Sequence, residues 1–249
     1  MIRTAVILAA GSGTRMKLFQ KPKGFLNIAG KCLIEYSIEA LLDHGIERIV
    51  IGTGFKSEFY DELKDRYPQV VTQRNDYYAT TGSLKTLVSL GDLIAGDFLL
   101  LESDVLYDAS CLTAMIQDPH ENVVLLSSTE NQKDGVFVEV DRDYNLVRMT
   151  KEVHYLQKPE DGILVGITRL SARTFRQLLK IADRILNVNG LEHYDFAFEH
   201  LPAKFFVLRM DNLVFTEIDD NEQLSYALNC VYPKLTLAPR CGRARAARE

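Results

Sequence analysis

The sequence predicts an α/β fold, in which a mixed, mostly parallel sheet is flanked by helices. Residues 2–10 (IRTAVILAA) form a short apolar run rich in β-branched residues, which is typical of a strand buried on both faces. Residues 33–44 place apolar side chains at helical spacing and end at Gly45, and residues 46–52 form a second apolar run. A strand, a helix and a strand in this order predict a parallel pair joined by a right-handed crossover.

Composition and charge narrow the class of protein. The 249 residues are 47% hydrophobic, enough to bury the core of one domain, and we place that domain at residues 1–238. A net charge of -5 argues against a nucleic-acid partner, whose binding protein would be basic. The sequence has no run of eighteen apolar residues and no secretory leader pattern, so we expect a cytoplasmic protein without a membrane partner.

The cysteines and the last residues carry no predicted chemistry. Cys32, Cys111, Cys230 and Cys241 are widely spread and lack the spacing of a zinc site, so we expect free thiols. Residues 239–249 contain four arginines without apolar periodicity. We expect this basic tail to be disordered, a remnant of cloning or a linker stub.

A glycine-rich turn follows the first strand at residues 11–16 (GSGTRM). Glycine lets backbone N–H groups approach an anion, because it has no Cβ and tolerates left-handed φ. The dinucleotide fingerprint requires a third glycine where Met16 stands, and the tripeptide that closes a P-loop is missing. Arg15 and Lys23 would suit a polyphosphate, the first through its planar fork and the second as a point charge.

Three blocks of sequence then resemble a known family. Residues 8–16 (LAAGSGTRM), 21–26 (KPKGFL) and 30–36 (GKCLIEY) are similar to the signature of the sugar-phosphate and alcohol-phosphate nucleotidyltransferases. The resemblance implies a Rossmann-like fold of the nucleotide-diphospho-sugar transferase type, as a single domain with a small hairpin lid. It also implies that the loop wraps the triphosphate of an NTP and that Lys23 contacts phosphate at the reacting centre. The implied loop contacts are Leu8, Ala9, Ala10, Gly11, Ser12, Gly13, Thr14 and Arg15.

The segment at residues 74–84 (RNDYYATTGSL) precedes a helix predicted at residues 83–93, after a helix at 57–67 and a brief strand at 70–73. In the resembled family the matching segment lies against the nucleobase. Thr81, Gly82 and Ser83 are therefore candidate nucleotide contacts, with capping of the helix by the hydroxyl groups as the alternative.

Two aspartates end apolar strands. Asp104 follows residues 98–101 (FLLL), and ligands of a parallel sheet gather at the carboxyl ends of its strands. Asp219 ends residues 213–219 (LVFTEID) and ranks above Glu217 as a candidate, while Asp220 would cap the next helix at residues 221–231. The resemblance assigns both Asp104 and Asp219 to a Mg²⁺ site, which suits the preference of Mg²⁺ for one or two carboxylates with phosphate oxygens.

The region between these acids should bind the second substrate. Residues 135–140 and 146–150 alternate around a turn and predict a hairpin, which places Lys151 where it could hold an attacking phosphonate or remain a solvated lysine. Further on, residues 163–168 predict a strand, residues 171–185 an amphipathic helix and residues 192–200 a short helix.

The short helix at residues 192–200 suggests the acceptor. Helical spacing would place Asp195 and Glu199 on one face beside Tyr194. The region resembles the phosphocholine and 2-aminoethylphosphonate cytidylyltransferases more than the sugar branch. A primary ammonium donates three hydrogen bonds and requires carboxylates, whereas a quaternary ammonium is held by an aromatic cage, and the chain contains no tryptophan.

The sequence therefore predicts a cytidylyltransferase that joins CMP from CTP to 2-aminoethylphosphonate, uses Mg²⁺ and releases pyrophosphate. Arg15 and Lys23 are the expected catalytic residues. Phosphocholine and a sugar 1-phosphate remain alternative acceptors, and a nucleotide-sensing domain remains the alternative without catalysis. The oligomeric state stays open, with a homodimer as one arrangement.

Overall fold

The computed structural model describes residues 2–13, 15–16, 20–128 and 135–237. The expected nucleotide contact Thr14 and the tail at residues 239–249 lie outside this part of the chain. Strands within it are β1 (Thr4–Ala9), β2 (Asn27–Ile28), β3 (Lys31–Cys32), β4 (Arg48–Thr53), β5 (Val70–Arg74), β6 (Phe98–Glu102), β7 (Val105–Tyr107), β8 (Val123–Ser127), β9 (Phe137–Val140), β10 (Leu146–Thr150), β11 (Gly162–Leu170), β12 (Phe206–Arg209) and β13 (Phe215–Glu217).

Helices flank these strands. They are α1 (Leu33–Asp43), α2 (Ser57–Asp61), α3 (Leu63–Arg66), α4 (Ser83–Ser89), α5 (Ser110–Gln117), α6 (Ala172–Val188), α7 (Tyr194–Ala197), α8 (Asn221–Tyr226) and α9 (Tyr232–Leu237), with a π-helical turn at Ala227–Val231 between the last two. Short 3₁₀ turns lie at Lys23–Phe25, Gly91–Leu93, Val153–Tyr155 and Phe198–His200.

The central sheet has nine strands and confirms the predicted α/β fold. Its main path runs β10-β9-β11-β6-β1-β4-β5, and β8 pairs with both β11 and β12. The neighbours β6, β1, β4 and β5 are parallel, as the first strand-helix-strand unit predicts. By contrast, β11 runs antiparallel to β6, β8 and β9, which makes the sheet mixed.

Strand β1 is buried on both faces, as its apolar composition predicts. Ala5, Ile7 and Ala9 belong to one core cluster together with residues of α1, whereas Val6 and Leu8 belong to a second cluster with residues of α4 and α6. Side chains alternate between the faces of a strand, so each face of β1 packs against its own helical layer. The loop that follows β1 is therefore anchored at the centre of the molecule.

Two details differ from the predicted elements. The helix predicted at residues 57–67 is divided into α2 and α3 at Glu62, and the one at 83–93 ends at Ser89 before a 3₁₀ turn. The predicted hairpin is confirmed, since β9 and β10 pair antiparallel with a register shift between Leu146 and Arg148. Within the described residues, no helix combines the length and apolarity that a membrane crossing needs.

Candidate active site

A cleft of about 670 Å³ opens at the carboxyl ends of β1 and β6. All of residues 8–13 line it, together with Arg15, Lys23 and the end of β6. The hairpin borders the opposite side through Phe137 and Lys151. The cleft thus occupies the edge of the parallel strands at which α/β proteins gather their ligands.

Gly13 gives the loop its shape. Its φ is +60°, and a Cβ at this position would lie 3.2 Å from Cγ of Lys23. Left-handed backbone is costly for a residue with a side chain, and the Lys23 stem fills the space where that side chain would be. The Gly13 carbonyl accepts the N–H of Met16 at 2.9 Å, which closes the turn.

Lys23 lies between the two aspartates that the sequence assigns to a metal. Its Nζ donates to Oδ2 of Asp104 at 2.9 Å and also to Oδ1 of Asp219. Burial by itself would lower the pKa of Lys23, but the charges of both aspartates outweigh burial and hold this pKa above its usual value. Lys23 therefore remains charged, with its ammonium shared by two carboxylates.

Arg15 is the second cation beside Asp219. Its guanidinium lies 2.5 Å from Oδ2 of Asp219 while most of the arginine stays exposed. Burial would raise the pKa of Asp219, but Lys23 and then Arg15 reverse the effect and lower it. The next residue, Asp220, accepts the N–H of Gln223 at 2.8 Å, which confirms it as the cap of α8.

Asp104 and Asp219 are suited to a divalent cation. They reach the same point from different strands, and the N–H of Ile218 donates to the carbonyl of Asp104 at 2.9 Å. Both carboxylates already converge on one positive centre, the Lys23 ammonium, which stands in for a metal ion. Carboxylate oxygens are the ligands that Mg²⁺ prefers, so this donor set fits the ion that the sequence predicts.

Two further acids lie at this site: Glu102, which the sequence did not single out, and Glu217, which was ranked below Asp219 as a metal ligand. Carboxylate oxygens of Glu102, Asp104 and Glu217 all lie within 4.8 Å of one another. Burial, followed by the charges of Asp104 and Asp195, raises the pKa of Glu102 to about 8. Burial also raises the pKa of Glu217. The position of Glu102 was the available signal, because it lies two residues before Asp104 at the end of the same strand.

The segment at residues 81–83 lines the cleft and also packs against the backbone of residues 190–192. A Cβ on Gly82 would lie 2.2 Å from the carbonyl oxygen of Glu192, and the Gly82 N–H donates to the carbonyl of Gly190 at 3.0 Å. The glycine is thus required by the packing of the loop at residues 190–192. Ser83 joins the same contact, since its hydroxyl accepts the N–H of Tyr194 at 3.2 Å.

The acceptor-side residues fall into two groups. Asp195, Tyr194 and Lys151 line the cleft, and Asp195 is only 4% exposed. Burial raises the pKa of Asp195 to about 6, although its own backbone N–H and Lys151 counteract part of the effect.

Glu199, in contrast, is not brought into the cleft. It is exposed, and its carboxylate accepts the N–H of Met149 at 2.6 Å. The expectation of one helical face is wrong because α7 ends at Ala197 and the chain continues as a 3₁₀ turn. In that geometry residues three apart are eclipsed, and residues four apart no longer share a face.

The aromatic rings near Asp195 belong to the core. Tyr194 is 1% exposed, and its ring meets that of Phe198 edge-on with centroids 5.6 Å apart. Phe198 in turn stacks on Phe205 at 4.6 Å. These rings pack against one another, and the Tyr194 hydroxyl points to the Glu102 side of the cleft.

His193 is a further cleft residue that the sequence did not single out. Its Nδ1 lies 3.2 Å from the Ser83 hydroxyl, so it connects the start of α4 with the start of α7. Burial and then the charge of Lys151 lower its pKa, which favours a neutral imidazole.

Among curated proteins, the chain is similar to several nucleotidyltransferases. It is 29% identical over 181 residues to the bifunctional protein GlmU of Methanococcus maripaludis, covering 72% of this chain and 42% of that protein. It is 35% identical over 104 residues to the 2-aminoethylphosphonate cytidylyltransferase of Lancefieldella rimae, covering 41% and 42% respectively. The chain thus spans about two fifths of the length of the curated relatives it matches.

A solved structure and a family model are also similar to this chain. The structure of the inositol-1-phosphate CTP transferase from T. maritima superposes with a TM-score of 0.78 at 17% identity, covering 96% of this chain and 98% of that one. This likeness shows the nucleotide-diphospho-sugar transferase fold. Residues 5–159 match the family described as the MobA-like NTP transferase domain. The matched range contains the glycine loop, Lys23 and Asp104, and the chain belongs to this family of nucleotidyltransferases.

Proposed function

We propose that the chain is a CTP-dependent cytidylyltransferase that joins CMP to 2-aminoethylphosphonate and releases pyrophosphate. The observation that carries the proposal is the position of Lys23, whose ammonium lies between Asp104 and Asp219 at the end of the glycine loop. A lysine held by two acids in a phosphate-binding cleft suits a reaction between two anions. The domain that performs it is residues 1–238.

The loop binds the triphosphate in this account. The backbone of residues 8–13 lines the cleft, and Arg15 reaches into it with an exposed guanidinium. A planar guanidinium binds phosphate oxygens through two parallel hydrogen bonds. The segment at Thr81, Gly82 and Ser83 lines the cleft and would contact the base, where the Thr81 and Ser83 hydroxyl groups would exchange their present protein partners for the nucleotide.

Asp104 and Asp219 would hold Mg²⁺ together with phosphate oxygens. The bound ion supplies positive charge that offsets the negative charge of the phosphates. Lys23 lies between the two aspartates and would bring its ammonium to the α-phosphate during transfer. The carboxylates that hold Lys23 in the structure are thus the residues that would hold the ion.

The chemical step is an in-line displacement. A phosphonate oxygen of the acceptor attacks the α-phosphorus, the bond to the pyrophosphate oxygen breaks, and the electron pair leaves with pyrophosphate. The attacking oxygen is already ionised near neutral pH, so no general base is required. Repulsion between the two anions is the main barrier, and Lys23 and Arg15 lower it by positioning and neutralising charge.

The acceptor side supports a phosphonate that carries a primary ammonium. Lys151 lies at the end of β10, where it can bind the phosphonate, and the buried Asp195 faces the same cleft. One relative of this chain is named 2-aminoethylphosphonate cytidylyltransferase. Tyr194 and Phe198 are committed to the core, which argues against a complete aromatic cage for phosphocholine.

Pyrophosphate release tests the proposal. The four NTPs are crossed with 2-aminoethylphosphonate, phosphocholine, phosphoethanolamine and glucose 1-phosphate in the presence of Mg²⁺. We expect turnover with CTP and 2-aminoethylphosphonate. Turnover with glucose 1-phosphate alone would assign the chain to the sugar branch, and saturable CTP binding without pyrophosphate release from any acceptor would indicate a sensor.

A further inference from the structure

Helix α2 packs against the chain segment at residues 20–25, which contains the lysine of the site. The rings of Phe59 and Tyr60 meet the ring of Phe25 edge-on, with centroids 5.4 and 5.1 Å away. Lys56, the cap of the helix, donates to the first backbone carbonyl of the segment. Edge-on aromatic pairs add to the stabilisation that burial gives. The helix and its cap thus hold both ends of the segment.

Tyr60 lies at the centre of this contact. It borders the cleft, yet it is only 1% exposed. A Cβ on Gly24 would lie 3.1 Å from the Tyr60 hydroxyl oxygen and 3.3 Å from the edge of its ring. Because glycine has no Cβ, the backbone next to Lys23 can approach the tyrosine this closely.

The Tyr60 hydroxyl connects the two chain segments that meet at the site. The N–H of Gly24 donates to its oxygen, and the hydroxyl of Ser103 shares a second hydrogen bond with it. Gly24 follows Lys23 in the sequence, and Ser103 precedes Asp104. Lys23 and Asp104 form the ion pair of 2.9 Å. One hydroxyl therefore joins the chain neighbours of both members of the ion pair.

The same hydroxyl is not placed to react with a substrate. Burial, and then the charge of Asp104, raise the pKa of Tyr60 above its usual value, so the hydroxyl keeps its proton at neutral pH. A neutral hydroxyl can accept one hydrogen bond and donate another, which matches the two partners that Tyr60 has in the chain. Any effect of this hydroxyl on the reaction would therefore pass through the residues that it holds.

Lys23 is a residue for which such support matters. Its ammonium stands on a flexible four-carbon stem, so its position depends on how firmly the backbone below it is fixed. That backbone is the short 3₁₀ turn Lys23–Phe25, which we call the Lys23 turn. A small displacement of a group at a reacting centre can remove much of the rate.

We propose that Tyr60 is a positioning residue, whose hydroxyl fixes the Lys23 turn beside the strand end that carries Asp104. The inference rests on the proposed role of Lys23 in cytidylyl transfer. The Tyr60 ring packs the turn, and the hydroxyl sets its distance from Ser103. Without the hydroxyl the turn would remain packed, but the Lys23 ammonium would be held less firmly between its two carboxylates.

A double-mutant cycle tests the inference. Tyr60→Phe removes the hydroxyl and keeps the ring. Mn²⁺ affinity is measured without nucleotide, from the electron paramagnetic resonance of free Mn²⁺, for the wild type, Tyr60→Phe, Lys23→Ala and the double variant. The control is Tyr67→Phe, which removes a hydroxyl that is bonded to two glutamates away from the cleft. Pyrophosphate release gives kcat and the KM for CTP, and thermal unfolding reports stability.

The hydroxyl should matter only while Lys23 is present. Tyr60→Phe should bind Mn²⁺ about 2- to 10-fold more tightly than the wild type, the range of one neutral hydrogen bond, because Lys23 competes less well for the carboxylates. In the Lys23→Ala background the same substitution should change nothing, since Tyr60 acts through the lysine. We expect kcat to fall by a similar factor while the KM for CTP stays within about twofold. Tyr67→Phe should retain the wild-type values.

Three results would overturn the inference. The first is a Tyr60→Phe protein with unchanged Mn²⁺ affinity, whatever its kcat, because the hydroxyl would then not act on Lys23. The second is an equal effect of Tyr60→Phe in the Lys23→Ala background, which would place its action on the carboxylates or on the fold. The third is the same set of changes in Tyr67→Phe, which would show a general effect of losing a tyrosine hydroxyl.

The outcomes separate this inference from the proposed function. The expected pattern of Mn²⁺ affinities without pyrophosphate release from any acceptor would uphold the positioning of Lys23 and refute cytidylyl transfer. Turnover by the wild type, together with a Tyr60→Phe protein that keeps both its kcat and its Mn²⁺ affinity, would uphold transfer and refute the positioning role.

Discussion

The ammonium of Lys23 lies 2.9 Å from Oδ2 of Asp104 and is shared with Asp219. These residues are far apart in sequence, and the resemblance to nucleotidyltransferases gives them different roles, one toward phosphate and two toward a metal ion. In the structure they form one group. In the proposed reaction Lys23 would contact phosphate, although in the structure it occupies the position between Asp104 and Asp219 that a divalent cation would take.

The shared position predicts competition between Lys23 and a metal ion. Replacing Lys23→Ala should strengthen Mn²⁺ binding in the absence of nucleotide, by about tenfold or more, because a positive charge next to both carboxylates is removed. Titration followed by the electron paramagnetic resonance of free Mn²⁺ measures the affinity. Lys31→Ala is the control for net charge, since Lys31 pairs with Glu39 instead. Weaker Mn²⁺ binding by Lys23→Ala would contradict the shared position.

Substitutions of the adjacent acids Asp219 and Asp220 should affect different properties, turnover in the first case and stability in the second. Asp219→Ala should lower kcat by about 10²-fold or more through loss of charge stabilisation in the transition state. Asp220→Ala should instead lower the free energy of unfolding by about 1 kcal/mol, because Asp220 caps α8, and leave turnover close to the wild-type value. Urea unfolding and pyrophosphate release distinguish the two. Equal losses of turnover would show that the assignment of Asp219 over Asp220 is wrong.

Gly13 should be sensitive to a single methyl group. Gly13→Ala places a Cβ on left-handed backbone and 3.2 Å from Lys23, so it should cost about 1–2 kcal/mol of stability and displace the lysine. Gly11→Ala meets no atom within 4 Å and has no positive φ, so its effect on stability should be small. Urea unfolding of both variants checks the difference. A Gly13→Ala protein as stable as the wild type would argue against the left-handed conformation of Gly13.

The buried Asp195 predicts a pH dependence of stability. Its pKa is raised from 3.8 to about 6, so between these pH values the folded protein holds a proton that the unfolded chain has released. Stability from this group is greatest below pH 4 and falls as the pH rises to 6, by up to about 3 kcal/mol. The Asp195→Asn variant should lack this part of the fall in stability. Parallel stability curves for both proteins from pH 4 to pH 7 would contradict the burial of an ionisable Asp195.

Much of the site is recognisable in the sequence because local rules fix it. Residues 2–10 form a buried strand that leads into a glycine turn, and Asp104 follows an apolar strand whose carboxyl end must lie at the same sheet edge. The cap role of Asp220 is local as well. Such features depend on neighbours along the chain, which the sequence displays.

Other features depend on contacts between distant segments. Gly82 approaches the loop at residues 190–192, and no pattern within its own segment indicates that partner. Glu199 lies outside the cleft because α7 tightens into a 3₁₀ turn, in which each hydrogen bond spans three residues instead of four, and hydrophobic periodicity does not resolve this change. Glu102 was not singled out because its proximity to Asp195 depends on α7, which comes later in the chain.

The most direct test of the account is the Mg²⁺-dependent formation of pyrophosphate from CTP and 2-aminoethylphosphonate by the wild-type protein, Lys23→Ala and Asp104→Asn. We expect turnover by the wild type and a loss of about 10²- to 10³-fold in each variant, with thermal stability retained. Full turnover in either variant, or no turnover by the wild type with any acceptor, would contradict it.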